Sequence, residues 1–140
     1  MKDKIKKFKG LTSFYVIEII DAQTIMINYG TSNGAVVGED IKVIDIDSLD
    51  FITDPYDGST IDYFYTVKED LEIIRCYEKY SICQKIVISR SNLLENISNS
   101  SGFVRTEKKI KPLNVDDSKF SNRKITSQDP ILIGDPVIIN

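Results

Sequence analysis

The chain has 140 residues, 41% of them hydrophobic and 28% charged, with a formal net charge of −3. That length suits one domain able to bury about two thirds of its unfolded surface, and this balance of apolar and charged residues argues against global disorder. With no histidine and no tryptophan, the chain lacks the commonest general base, the commonest metal ligand and every Ser-His-Asp or Cys-His arrangement.

Residues 1–12 form a basic lead-in, with Lys2, Lys4, Lys6, Lys7 and Lys9 and no apolar run behind them. A secretory leader is therefore not expected, no stretch reaches the roughly 20 apolar residues of a spanning helix, and the expected location is the cytosol. Residues 13–140 read as a single β-barrel domain. Its apolar content leans on Ile, Val and Tyr, which suit a pleated, half-buried surface. From Phe14 to Ile20 the residues Tyr15, Ile17 and Ile19 share one face and Val16, Glu18 and Ile20 the other. Thr24 to Tyr29 follows, with Ile25, Ile27 and Tyr29 alternating inward, so the two segments predict an antiparallel hairpin. A loop through Gly30 and Gly34 leads to Gly38, and Asp40 to Ile46 is the third expected strand.

A short pattern occurs at that point and again at the end of the chain: Val36-Val37-Gly38-Glu39-Asp40-Ile41-Lys42-Val43 and Leu132-Ile133-Gly134-Asp135-Pro136-Val137-Ile138-Ile139. In each copy an apolar run meets a glycine and an acidic residue, then a second apolar run begins. Glycine enters positive φ without a Cβ clash, and the acidic side chain can accept hydrogen bonds from turn N–H groups. Sharp strand-to-strand turns of this kind predict a small antiparallel barrel of five to seven strands.

Asp47 to Thr60 reads as an acidic loop whose tightest point is Asp54-Pro55-Tyr56-Asp57-Gly58. Ile61–Lys68, Leu71–Tyr77 and Ile82–Ser89 are the next expected strands, and the adjacent Ile73 and Ile74 suggest a bulge. Asn92 and Glu95 resemble a capping box before one helical turn, Leu93 to Ile97. A long basic excursion follows at about 99–128, with at most a short strand around Phe103 and Val104, before Ile131–Asn140 closes the sheet.

The string from Asn28 to Val43, the Asp54-Pro55-Tyr56-Asp57-Gly58 loop, Leu71 to Cys83 and the closing Ile131 to Val137 together resemble a widespread bacterial β-barrel module. Its best-known carrier is the C-terminal domain of flagellar assembly protein T. Gly30, Gly34, Gly38 and Asp40 fall on that family's turn positions, with Glu39 inserted between glycine and aspartate. The resemblance implies an accessory binding module with no catalytic residues.

Other chemistry has little to work with. Asp45, Asp47, Asp50, Asp54 and Asp57 could supply carboxylate oxygens to a divalent cation, but their spacing is not that of an EF-hand, and a solvated acidic loop with no metal is the expectation. Cys76 and Cys83 are expected as packed free thiols. No cofactor and no catalytic residue is expected, and the glycines at 30, 34 and 38 precede a strand where a phosphate loop would precede a helix. The favoured function is protein binding or self-association. The excursion would supply Phe103, Arg105, Lys108, Lys109, Lys111 and Phe120, and the turn tips Tyr56 and Tyr80, while Gly30, Gly34, Gly38, Asp40, Gly58, Gly134 and Asp135 would shape the turns. The alternative is an oligonucleotide-binding-type barrel stacking single-stranded nucleic acid on Tyr63, Phe64, Tyr65, Tyr77 and Tyr80, disfavoured because those rings neighbour the acidic stretch.

Overall fold

The computed structural model describes residues 2–87 and 108–140. Six strands form a closed antiparallel ring: β1 (Phe14–Asp21), β2 (Thr24–Ile27), β3 (Asp40–Thr53), β4 (Thr60–Cys76), β5 (Ser81–Gln84) and β6 (Pro136–Ile139), joined in the order β1-β2-β5-β4-β3-β6. One helix, α1 (Lys2–Phe8), precedes them. The all-β barrel expected from the residue pattern is the fold observed.

Alternation explains the core. Val16 lies opposite Ile27, Ile25 and Ile73 both lie opposite Cys83, and Val43 lies opposite Val137, so the inward members of every strand meet inside the ring. All are buried, together with Tyr29, Ala35, Ile41 and Leu71. Each fully buried Val or Ile contributes about 1.5–3 kcal/mol, and closing the ring leaves its short strands no free edge. Burial in this apolar interior pushes the Cys83 thiol up to about 12, so it behaves as a small hydrophobe.

The repeated turns are the same device used twice. Gly38 (φ 92°) and Gly134 (φ 93°) both sit in the left-handed region. Gly38 N–H donates to the carbonyl of Ile73, whose own N–H returns to the carbonyl of Glu39; Gly134 and Asp135 exchange the same pair of bonds with Val16. The acidic side chain then closes each turn, Glu39 accepting from Val36 N–H at 3.2 Å and Asp135 from Leu132 N–H at 2.7 Å. Glu39 is thus the counterpart of Asp135, and Asp40, expected in the turn, is instead the first residue of β3. Valine at either glycine should lower stability by at least about 1 kcal/mol, because a β-branched residue at positive φ is strained. Urea midpoints unchanged in both variants would refute the shared geometry.

Gly34 and Gly58 also have positive φ. Gly30 works differently: its φ of −126° suits any residue, but a Cβ there would stand 2.3 Å from the carbonyl oxygen of Glu78. The need is for close approach between the loop after β2 and the hairpin joining β4 to β5.

The largest departure from expectation is between Asp47 and Thr60. There is no long loop; β3 runs on to Thr53, β4 starts at Thr60, and the two strands expected at 61–68 and 71–77 are one 17-residue strand. Register shifts hid this. Asp45 lies opposite Thr66 but Asp50 opposite Phe64, so β3 spends five residues where β4 spends two. The surplus folds out as a bulge closed by Ser48, whose hydroxyl donates to Asp45 O at 2.6 Å and accepts from Thr66 N–H at 2.8 Å. It carries Ile46 and Leu49 onto Phe8 at the end of α1, making a second small core with Leu11, Tyr15, Tyr63 and Tyr65 around it. A second shift leaves Lys68 as an extra residue, since Val43 pairs with Glu69 and Ile44 with Val67.

By internal contacts the chain divides into the barrel unit, residues 1–86 with 123–140, and a second unit, 87–122. Among the described residues of the second unit a short 3-10 turn, Asp117–Lys119, is capped by Asp116, which accepts from Ser118 N–H at 3.1 Å. The strand expected to reach Ser89 ends at Gln84, and residues 85–87 are in no strand; residues 88–89, the expected helical turn at Leu93–Ile97 and the strand at Phe103–Val104 lie outside the described residues.

Candidate functional site

Among the described residues, β3 beyond Val43 and β4 before Leu71 pair only with each other. A two-stranded ribbon therefore continues past the closed ring. On one face Phe51 packs against Tyr63, ring centroids 5.2 Å apart, and Tyr63 and Tyr65 continue to the Phe8 cluster. On the other face lie Asp50, its cross-strand partner Phe64, and then Thr66. The tip is a tight turn in which Gly58 N–H donates to Asp54 O at 2.9 Å. Asp54 and Asp57 accept from Tyr56 N–H and Ser59 N–H, both at 2.8 Å, and the Ser59 hydroxyl and N–H hold the Asp57 carboxyl below the usual carboxylate range. Short side chains that bond their own backbone favour this turn.

The ribbon exposes large apolar side chains, as Ile19 and Ile20 of β1 and Val36 and Val37 before the Gly38 turn also do. Tyr56 is 98% exposed, Ile61 61% and Phe51 52%. Arg123 crosses the Phe64 face: its guanidinium lies 4.9 Å from the ring centroid, 3.5 Å from Asp50 Oδ2 and donates to Phe51 O at 3.2 Å. Further along, the Ser127 hydroxyl donates to Asp45 Oδ2 at 2.8 Å, and Asp47 N–H donates to Oδ1. These contacts frame a cleft of about 590 Å³ between the ribbon and residues 123–129. Asp45 is accordingly a buried, bonded residue and no part of a solvated loop. Among the described residues, no three of the His, Cys, Asp and Glu side chains converge as a metal site.

The bulged Lys68 is the polar residue the sequence reading passed over. Its side chain is 3% exposed and that of Asp135 is fully buried; the ammonium donates to Asp135 Oδ2 at 2.8 Å and to Pro130 O at 2.9 Å. Among the described residues Asp135 Oδ1 has no partner. The only sequence signal was that Lys68 is one of two basic residues in an acidic stretch, which does not distinguish burial from exposure.

The predicted contact residues are divided between the two units. Tyr56 stands at the ribbon tip. Tyr80, half-buried, stacks on Tyr77 across the β4–β5 hairpin with centroids 4.5 Å apart. Lys108, Lys109, Lys111 and Phe120 are exposed in the second unit, where Ile110 and Leu113 are exposed too. Phe103 and Arg105 lie outside the described residues. Arg123 to Gln128, expected as part of the excursion, are seated on the ribbon. No helix among the described residues is long and apolar enough to cross a membrane. Compared with models of known protein families and with curated proteins, the chain matches none.

Proposed function

We propose that this chain is a non-enzymatic binding module that acts through protein–protein contact, with the β3–β4 ribbon as its docking element. One observation carries the reading: Phe51, Tyr56 and Ile61 leave large apolar surfaces in water on a two-stranded extension whose outer edges are unpaired among the described residues. Isolated ribbons are marginal in water and unpaired edges invite other chains, so such an extension is costly unless a partner uses it. Exposed aromatic and aliphatic groups ringed by polar ones are also how docking surfaces are built. The exposed Lys108, Lys109, Lys111 and Phe120, with Phe103 and Arg105, remain the second contact surface in this reading. The turn motifs shared with the accessory barrel module add support, since that module binds and does not catalyse. Single-stranded nucleic acid is the less favoured partner, because Tyr77 and Tyr80 cover one face of each other and the ribbon is acidic.

The test is a Phe51→Ser, Tyr56→Ser, Ile61→Ser variant. It should keep the barrel, whose core these residues do not enter, and weaken association with itself or with a co-purifying partner by about tenfold or more, read by light scattering and pull-down. Unchanged association in a folded variant would sink the ribbon as docking element.

A further inference from the structure

Building on the reading of the ribbon as a docking element, we propose that its occupant is a basic extended segment of another protein, with arginine or lysine at alternate positions and apolar residues between them. The charge is one-sided: from Val43 to Val67 there are six aspartates, Asp45, Asp47, Asp50, Asp54, Asp57 and Asp62, and no lysine or arginine. A second copy's ribbon would set like charges against like, so the surface selects against itself and for a cation.

Arg123 shows how a cation is received. Its guanidinium takes an aromatic face, a carboxylate and a backbone carbonyl together, at Phe64, Asp50 and Phe51 O. One row nearer the tip, on the same face, Ile52 lies opposite Asp62, again an apolar group beside a carboxylate. Among the described residues no cation pairs with Asp54, Asp57 or Asp62.

The geometry also sets the partner's pattern. A chain added at an outer edge of the ribbon would be extended, with side chains alternating between the faces at about 6.6–6.8 Å per two residues, the repeat of the ribbon itself. Its alternate residues would fall beside Ile52 and Asp62 on the acidic face, where Arg or Lys is favoured. The residues between would fall beside Phe51 and Thr53 on the other face, where an apolar group is favoured.

The probe is a fluorescent synthetic peptide alternating arginine and valine, titrated against the full chain by anisotropy, with a glutamate–valine peptide as control. The basic peptide should bind and the acidic one should not. Affinity should fall about tenfold when Asp54, Asp57 and Asp62 are all changed to asparagine, and should weaken as salt rises from about 0.05 to about 0.5 M. Asparagine keeps the side-chain acceptors of the tip turn, and Asp62→Asn alone, away from that turn, should lower affinity in the same direction. Equal binding of both peptides, or unchanged affinity in folded asparagine variants, would overturn the proposal. If the asparagine variants change nothing while the Phe51, Tyr56 and Ile61 serine variant loses association, the ribbon stays a docking element and only its preference for a basic partner is refuted.

Discussion

Replacing Lys68 with methionine is expected to remove about 3–5 kcal/mol of stability, read as a large drop in the urea midpoint. The Lys68 and Asp135 side chains are 3% and 0% exposed, so neither charge can turn to water when the other is removed. Asp135 would keep its bond from Leu132 N–H but lose its counter-charge, with Oδ1 already lacking a partner among the described residues. The same ammonium ties β4 to Pro130 O, so the loss falls on the turn that starts β6 and closes the ring. A double variant, Lys68→Met with Asp135→Asn, should recover most of the loss, because asparagine still accepts from Leu132 N–H and no buried charge remains. A lysine variant as stable as the parent would show that the pair is not buried as described.

Changing Phe8 to alanine should cost about 3 kcal/mol. Phe8 is 1% exposed and is the residue through which α1 joins the small core of Ile46 and Leu49. A helix of 7 residues is too short to hold itself in water, so the loss of this anchor should release it. Amide exchange separates this from general damage: α1 and the 46–49 bulge should lose protection while Ile41, Ile73 and Val137 in the ring keep theirs. An unchanged urea midpoint, or equal loss of protection everywhere, would contradict a docked helix with its own core.

The contrast between the regions read correctly and those misread is physical. β2 has a clean period of two, and Ile25, Ile27 and Tyr29 point inward as expected. The two Gly-acid turns were visible because both backbone and side chain need those residue types. Period and type failed together between Asp45 and Thr60. Acidic residues weaken strand propensity there, and the three extra residues of the bulge move apolar positions out of alternation, so a paired strand looked like a loop. Phe8 carried no signal for a related reason: one aromatic among lysines has no periodicity, and its burial depends on a bulge almost forty residues away.

The ribbon's candidate contacts divide along the same line. Tyr56 was legible as exposed, since a Pro-Tyr-Asp-Gly turn leaves no place to bury a ring. Phe51 was not, because the loop expected there assigned no faces, and Ile61 was not, because it stood at the start of a separate strand expected at 61–68. The acidic character of the run from Asp45 to Asp57 could be read directly, but whether each acid is solvated could not: Asp45 is buried against Ser127 while Asp50 meets Arg123.

By itself, then, the amino-acid order determined the strand-rich class, the inward alternation of the ring and its two glycine turns, because these follow from local backbone and side-chain preferences. Only the tertiary structure decided that β3 and β4 outrun the ring, that Arg123 and Ser127 return to one face of that extension, and that Lys68 meets Asp135 67 residues later. Those pairings depend on register and long-range closure, and no local propensity specifies which distant residue will fill the place a bulge opens.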